Sequence, residues 1–318
     1  MNLDDHESTG LLHAPTKLRA RFGETGFLFF RGLLEPVEVG RVRAQVLERL
    51  HRVGWLRPGC DLALALPGPR VHHDRGTIEG RPASDPEWST GYAAVQSLES
   101  LHRLAHSSAL LEVLQHLLSG DVVVHPRKIA RMSFPGLRFP TPPHQDALFN
   151  QVATDVLTAW VPLGDCRASS GGLRVLAGSA AWGVLKARAD EGLGGESVDV
   201  PLDDPRWVEG DYRCGDVILF HSRTVHMAPA NRGQSLRLSV DFRYQSTLEP
   251  VTAAMLSPHG HAAGQLPGWR ELTEGWSSVK WVETGHPVRV VAVAPPSLPP
   301  SRLIHARLRD GAGSGATG

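Results

Sequence analysis

The stretch SLRLSVDFRY, residues 235–244, alternates without a fault: Leu236, Leu238, Val240, Phe242 and Tyr244 are apolar, while Arg237, Ser239, Asp241 and Arg243 are polar or charged. A period of two is that of a β-strand, whose successive side chains point to opposite faces. Two readings of the polar face are open. In the plainer one the strand is half exposed and its charges lie in water. In the other it is one stave of a barrel whose interior is polar because it holds a ligand. An inward-facing Arg237 could then grip the far end of a dicarboxylate with both arms of its guanidinium, Ser239 adding a hydroxyl donor.

Working outward, residues from 121 to 250 favour a β-rich setting. DVVVHPRKIARMSF, VLTAWVPL, GGLRVLAGS and DVILFH are short alternating or β-branched runs separated by Gly, Pro, Asn or Asp, the pattern of an antiparallel barrel or double-sheet jelly roll. Upstream the period is helical. EPVEVGRVRAQVLERLHRVG places Val39, Val42, Val46 and Leu50 at helical spacing after a proline suited to a first turn,. LESLHRLAHSSALLEVLQHLL repeats leucine in the same way and predicts a second helix ending at Gly120,. FGETGFLFFRGLL, residues 22–34, reads as a strand bounded by glycine. The expectation is an α+β chain forming a single domain over 21–305. A helical part covers about 35–120, a jelly-roll core about 121–250 and a C-terminal extension 251–305. A flexible N-terminus, 1–20, and a low-complexity tail, 306–318, flank it.

Composition narrows the partners. Lys+Arg and Asp+Glu are both 33, so the formal charge is zero and no basic field is present to attract nucleic acid or an anionic membrane,. No apolar run approaches the roughly 20 residues of a membrane span, and the acidic start MNLDDHESTG lacks a signal-peptide pattern,. A soluble, cytoplasmic protein with a small-molecule partner is expected; oligomeric state is not readable. Cys60, Cys166 and Cys214 are too few and too scattered for a disulfide framework or a zinc knuckle,. Arg57 to Trp88 is rich in Pro, Gly and Arg and reads as a long loop, either a basic lid with Arg57, Arg70, His72, His73, Arg75 and Arg81 or an ordinary surface excursion,. Trp269, Trp276 and Trp281 are expected to pack a helical surface in preference to walling a cavity,.

The chemistry centres on TPPHQDALFNQ, residues 141–151. In a strand His144 and Asp146 share one face while Gln145 points away. An imidazole and a carboxylate without a cysteine cluster suit a borderline-hard divalent ion, and one more histidine would complete a two-histidine, one-carboxylate face. His72-His73-Asp74 repeats the spacing without a strand around it and reads as a solvated loop. Downstream, His221 ends the run VILF and His226 begins the return segment; the second is better placed to close a site from across a barrel. Arg237 lies eleven residues beyond His226.

In order and spacing, HQD, TAWVPLGD, SGGLRVLAGS, GDVILFHSRTVH and NRGQSLRLSVDFRY resemble the phytanoyl-CoA dioxygenase (PhyH) family of Fe(II)- and 2-oxoglutarate-dependent oxygenases, over roughly residues 20–250. The resemblance implies a double-stranded β-helix, the jelly roll of that family. It implies iron held by His144, Asp146 and His226, with 2-oxoglutarate as cosubstrate and O2 as oxidant. It further implies that Arg237, with Ser239, holds the distal carboxylate and that Gln145 and Trp160 approach the cosubstrate. Halogenating relatives replace the carboxylate with a small residue, so the intact Asp146 implies oxygenation, with hydroxylation of an aliphatic C–H as the default. The chain departs from the family in GGLRVLAGSAAW, which lacks the usual histidine, and in the loop 57–92. A non-catalytic jelly-roll binding protein that keeps only the metal site is the alternative, and the intact Arg237 argues against it. A Ser-His-Asp hydrolase ranks lower because the chain has no GxSxG elbow,.

Overall fold

The stretch 237–246 is buried at every residue, on both faces. The computed structural model describes residues 1–68, 86–136, 140–149, 152–191, 194–261, 266–292 and 303–304. Helix α1 (Pro15–Thr25), strand β1 (Phe27–Phe30) and helices α2 (Pro36–Arg52), α3 (Pro86–Gln96), α4 (Glu99–Leu104) and α5 (Ser108–Leu117) come first. Among the described residues thirteen strands follow: β2 (Val122–Val124), β3 (Ile129–Ser133), β4 (Thr141–His144), β5 (Leu157–Pro162), β6 (Arg174–Leu176), β7 (Ala187–Ala189), β8 (Glu196–Val198), β9 (Trp207–Val208), β10 (Val217–His221), β11 (His226–Ala228), β12 (Arg237–Ser246), β13 (Val251–Thr252) and β14 (Val290–Val291). The major sheet runs β1-β10-β5-β12, with β3 and β2 both on the far edge of β12. The minor sheet runs β4-β11-β6-β9, and β7 pairs with β8.

Alternation along the major sheet sorts two cores. Leu28, Phe30, Leu157, Ala159, Val161, Val217 and Leu219 face outward with the apolar set of β12 and pack on the helices. Phe27, Phe29, Trp160, Ile218 and Phe220 face inward and meet Val175 and Val208 of the minor sheet. This is the jelly roll with N-terminal helices packed against it. The polar set of β12 therefore lies between the sheets, which rules out the half-exposed reading. A strand buried on both faces reads as alternating here only because one of its buried faces is polar.

Four expectations change. The N-terminus is packed: Leu3 is fully buried, its amide donates to the Glu209 carbonyl at 2.9 Å, and the Ser8 amide donates to the Phe29 carbonyl at 2.7 Å. The strand expected over 22–34 shrinks to β1, because Pro15 starts α1 and Gly26, at φ 80°, ends it with its amide on the Phe22 carbonyl,. Because β1 pairs with β10, the β core draws on residues well before 121. The helix expected over 98–118 breaks into α4 and α5 at Ser107, whose backbone is extended. Tyr244 of β12 donates its hydroxyl to the Ala105 carbonyl at this break, so the orphaned acceptor has a partner.

The tryptophan cluster packs as expected. His102 lies between Trp269 and Trp276, ring centroids 5.4 and 5.0 Å away, and the Trp276 indole donates to the Ser97 carbonyl. Of the loop expected over 57–92, α3 takes the final residues. Arg70, His72, His73, Arg75 and Arg81 lie outside the described residues, as does the tail 306–318. Among the described residues no helix is long and apolar enough to cross a membrane.

Helices α2 and α3 provide a paired test of this packing. A Cβ on Gly91 of α3 would lie 2.1 Å from the fully buried Trp55 ring, whereas one on Gly40 of α2 meets nothing within 4 Å. Gly91→Ala should cost about 1–3 kcal/mol through overpacking. Gly40→Ala should gain about 0.5–1 kcal/mol through helix propensity. Denaturant midpoints of the two variants, shifted in opposite directions, check this.

Candidate metal centre

Strands β4 and β11 pair so that His226 stands opposite His144, and their ring centroids are 4.1 Å apart. Gln145 continues the extended backbone, so Asp146 returns to the His144 side before a tight helical turn begins. Among the described residues, His144, Asp146 and His226 form a buried group whose ligand atoms all lie within 4.8 Å of one another. His221 is elsewhere: its Nε2 faces Asp155 at 3.0 Å and its Nδ1 accepts from the Arg223 amide. Of the two histidine candidates, the fold brings only His226 to the cluster.

The surroundings set the state of each ligand. His144 Nδ1 lies 2.9 Å from the Pro142 carbonyl and His226 Nδ1 lies 3.0 Å from that of Thr224. A carbonyl can only accept, so each Nδ1 carries the proton and each Nε2 offers a lone pair. Burial, and then the neighbouring His226, pushes His144 down to about 3; burial likewise lowers His226. Both rings are neutral near pH 7, as ligation requires.

For Asp146 burial works toward the neutral acid, and the Arg243 guanidinium together with the two neighbouring histidines more than offsets it, holding the carboxyl well below the usual carboxylate range. Arg243 Nη2 donates to Oδ1 at 2.9 Å and Nε to Oδ2 at 3.3 Å, while the Thr158 hydroxyl donates to Oδ2 at 2.7 Å. Arg243 and Thr158 are cross-strand partners in the β12/β5 ladder, so the major sheet clamps a ligand presented by the minor one. Neither residue was assigned a role at the metal from the sequence. The signal available was that Arg243 shares the face of Arg237.

The residues that the resemblance assigns to the cosubstrate divide. Arg237, Trp160, Ser133, His144 and His226 line one narrow pocket, with the Arg237 guanidinium 6.0 Å from the Trp160 ring centroid. Ser239 accepts from Arg237 Nη1 at 2.8 Å and so steadies the arginine. Gln145 does not reach this pocket. Its amide nitrogen donates to the Gly183 and Arg223 carbonyls, and its Oε1 accepts from the Leu185 amide, because an extended residue between two ligands must face away from them. A wider cavity of about 290 Å³ opens on the other side of His144 and Asp146, walled by Tyr92, Ile129, Phe149 and Met255.

A jelly roll with two neutral histidines and an ionised aspartate between its sheets offers the donor set of the non-heme Fe(II) oxygenases,. The family model for phytanoyl-CoA dioxygenase (PhyH) matches residues 22–239, and the chain belongs to that family. It is 26% identical over 257 residues to a 1-deoxypentalenic acid 11-beta-hydroxylase of Streptomyces arenae, covering 76% of this chain and 85% of that protein. The Streptomyces exfoliatus protein of the same name is 27% identical, covering 75% of this chain and 84% of that one. Among solved structures, the apo form of the non-heme monooxygenase ThoJ aligns with TM-score 0.52 and 21% identity, covering 74% of this chain and 79% of that one. That likeness concerns the fold.

Arg243 provides the test of this site. In the wild type neither His144 nor Asp146 takes up a proton between pH 7 and 5, so they give Ni(II) affinity little dependence on pH over that range. In Arg243→Met the buried Asp146 loses the charge that keeps it ionised, and its pKa rises. Ni(II) affinity should fall by about tenfold or more at pH 7 and further as protons compete toward pH 5. Calorimetric titrations at the two pH values check this, with Arg243→Lys expected to recover part of the loss.

Proposed function

We propose that this chain hydroxylates an aliphatic C–H of a small molecule, using iron held by His144, Asp146 and His226 and 2-oxoglutarate held by Arg237. The observation that carries the reading is the pairing of a deprotonated two-histidine, one-carboxylate face with a buried arginine in the adjoining pocket. The donor set fits iron: two neutral imidazole Nε2 lone pairs and a carboxylate locked by hydrogen bonds, with room for further ligands. The two Streptomyces relatives are named as hydroxylases, which supports hydroxylation here.

When bound, the iron, 2-oxoglutarate and O2 supply the oxidising chemistry: one oxygen atom ends in the alcohol and the other in succinate, with release of CO2. The chain's own residues do the rest. Arg237, steadied by Ser239 and next to Trp160, offers a bidentate grip on the distal carboxylate of the cosubstrate. The paired carbonyls of Pro142 and Thr224 fix the imidazole tautomers. Arg243 and Thr158 fix the carboxylate, so that the three donors need little rearrangement. Ile129, Phe149 and Met255 give this cavity an apolar stretch of wall against which a substrate carbon would lie.

The test is anaerobic absorption on addition of Fe(II) and then 2-oxoglutarate. A weak visible charge-transfer band is expected in the wild type. It should be absent in His144→Ala, and Arg237→Ala should need more 2-oxoglutarate to develop it. No band with iron demonstrably bound would overturn the 2-oxoglutarate assignment and leave a metal-binding protein without turnover.

A further inference from the structure

The wider cavity beside the metal ligands holds three guanidinium groups and too few carboxylates to balance them. Arg131 donates to Asp241 at 2.9 Å, and Arg243 to Asp146 at 2.9 Å. Arg127, in the connection between β2 and β3, has no acidic partner among the described residues. Its Nη1 reaches only the Ala254 carbonyl, at a long 3.3 Å, and its Nε is buried without an acceptor. Burial, together with Arg243 and Arg131, lowers its affinity for its own proton, to a pKa of about 10. A half-buried cation on a cavity wall, short of acceptors and repelled by two others, is costly unless an anion completes it.

We propose that Arg127 is the substrate anchor of this cavity and that the substrate is a compact apolar molecule bearing a single carboxylate. This rests on the reading of the narrower pocket as the cosubstrate site, which leaves the wider cavity for the substrate. The charge count selects the group. Arg131 and Arg243 are already paired, so one negative charge balances Arg127, and a phosphate dianion would exceed it. The skeleton is set by Trp88 stacked on Tyr92 at 4.7 Å, with Ile129, Phe149 and Met255, which offer apolar surface beside the guanidinium groups. A cavity of about 290 Å³ admits a small ring system,. Arg127 is itself held against the turn that carries Met255, its amide on the Met255 carbonyl at 3.3 Å, so the anchor and the apolar wall are set by the same contact.

The experiment uses adamantane-1-carboxylate, its neutral analogue adamantane-1-methanol and adamantane-1-phosphonate, titrated calorimetrically into the metal-free full-length protein. The carboxylate should bind at least about tenfold tighter than the alcohol, as expected for a charge-assisted hydrogen bond in a partly desolvated site, and tighter than the phosphonate. Arg127→Met should abolish the preference over the alcohol, with the alcohol itself bound as before, and Arg127→Lys should restore part of it. Thermal midpoints confirm that the variants are folded. Equal binding of acid and alcohol, failure of the acid to bind, a preference that survives Arg127→Met, or tighter phosphonate binding each overturns the assignment. Because no iron or 2-oxoglutarate is present, these outcomes are independent of the charge-transfer band, whose absence would instead count against the oxygenase reading beneath.

Discussion

A strand with two buried faces has nowhere to leave a charge unpaired, and β12 carries three charged side chains between the sheets. Each has a partner there: Arg237 with Ser239, Asp241 with Arg131, and Arg243 with Asp146. Further along, Gln245 meets His125 at 2.8 Å. The last of the charged pairs carries the most consequence, because Asp146 belongs to the other sheet's side of the barrel. Placing a carboxylate in that interior is unfavourable unless a cation and donors meet it. Arg243 and Thr158 meet it from adjacent strands, fixing at once the ionisation of the ligand, its direction, and the approach of the two sheets where the histidines stand opposite each other.

This arrangement explains which parts of the molecule were legible in the sequence. His144, Asp146 and His226 stood out because spacing along a strand is a direct statement about faces, and because the return strand pairs at His226. The same rule placed Gln145 away from the metal, and geometry prevailed there over the likeness that had put it near the cosubstrate. Arg243 was hidden for a physical reason. Alternation tells which residues share a face but not what lies beyond it, and RLSVDFRY has the same pattern whether the polar face meets water or a carboxylate. Only the minor sheet's covering of that polar face, which leaves every residue of 237–246 buried, decides between them.

The misplaced boundaries follow from competition between local and distant forces. GFLFF reads as strand, and Phe27–Phe30 is one, but the preceding residues obey Pro15 and Gly26, whose backbone preferences start and stop a helix. The leucine periodicity of 98–118 ran through Ser107 without interruption, yet the backbone is extended there, and the Tyr244 hydroxyl satisfies the Ala105 carbonyl at the break. The first residues of the chain looked expendable because polar, acidic sequence carries no periodic signal. Their order comes from Leu3, buried in the inner core with Phe27, Val208 and Tyr212, and from backbone hydrogen bonds to Glu209 and Phe29.

The two pockets share Arg131, Thr141 and His144 as common wall. The three candidate ligands thus stand at the boundary between a narrow compartment lined by Arg237 and a wider one lined by Arg127. The Arg131–Asp241 pair belongs to that boundary and is electrically closed on itself, so it separates the compartments without attracting an anion to the junction. Each compartment retains its own cation some way from the metal ligands. A dicarboxylate drawn toward Arg237 can leave its other end at the metal, whereas a monocarboxylate drawn toward Arg127 presents only its hydrocarbon portion there. On the proposed assignments, the distribution of charge along β12 and the β2–β3 connection would sort two anionic molecules by the number of charges they carry, and orient both toward the same three donors.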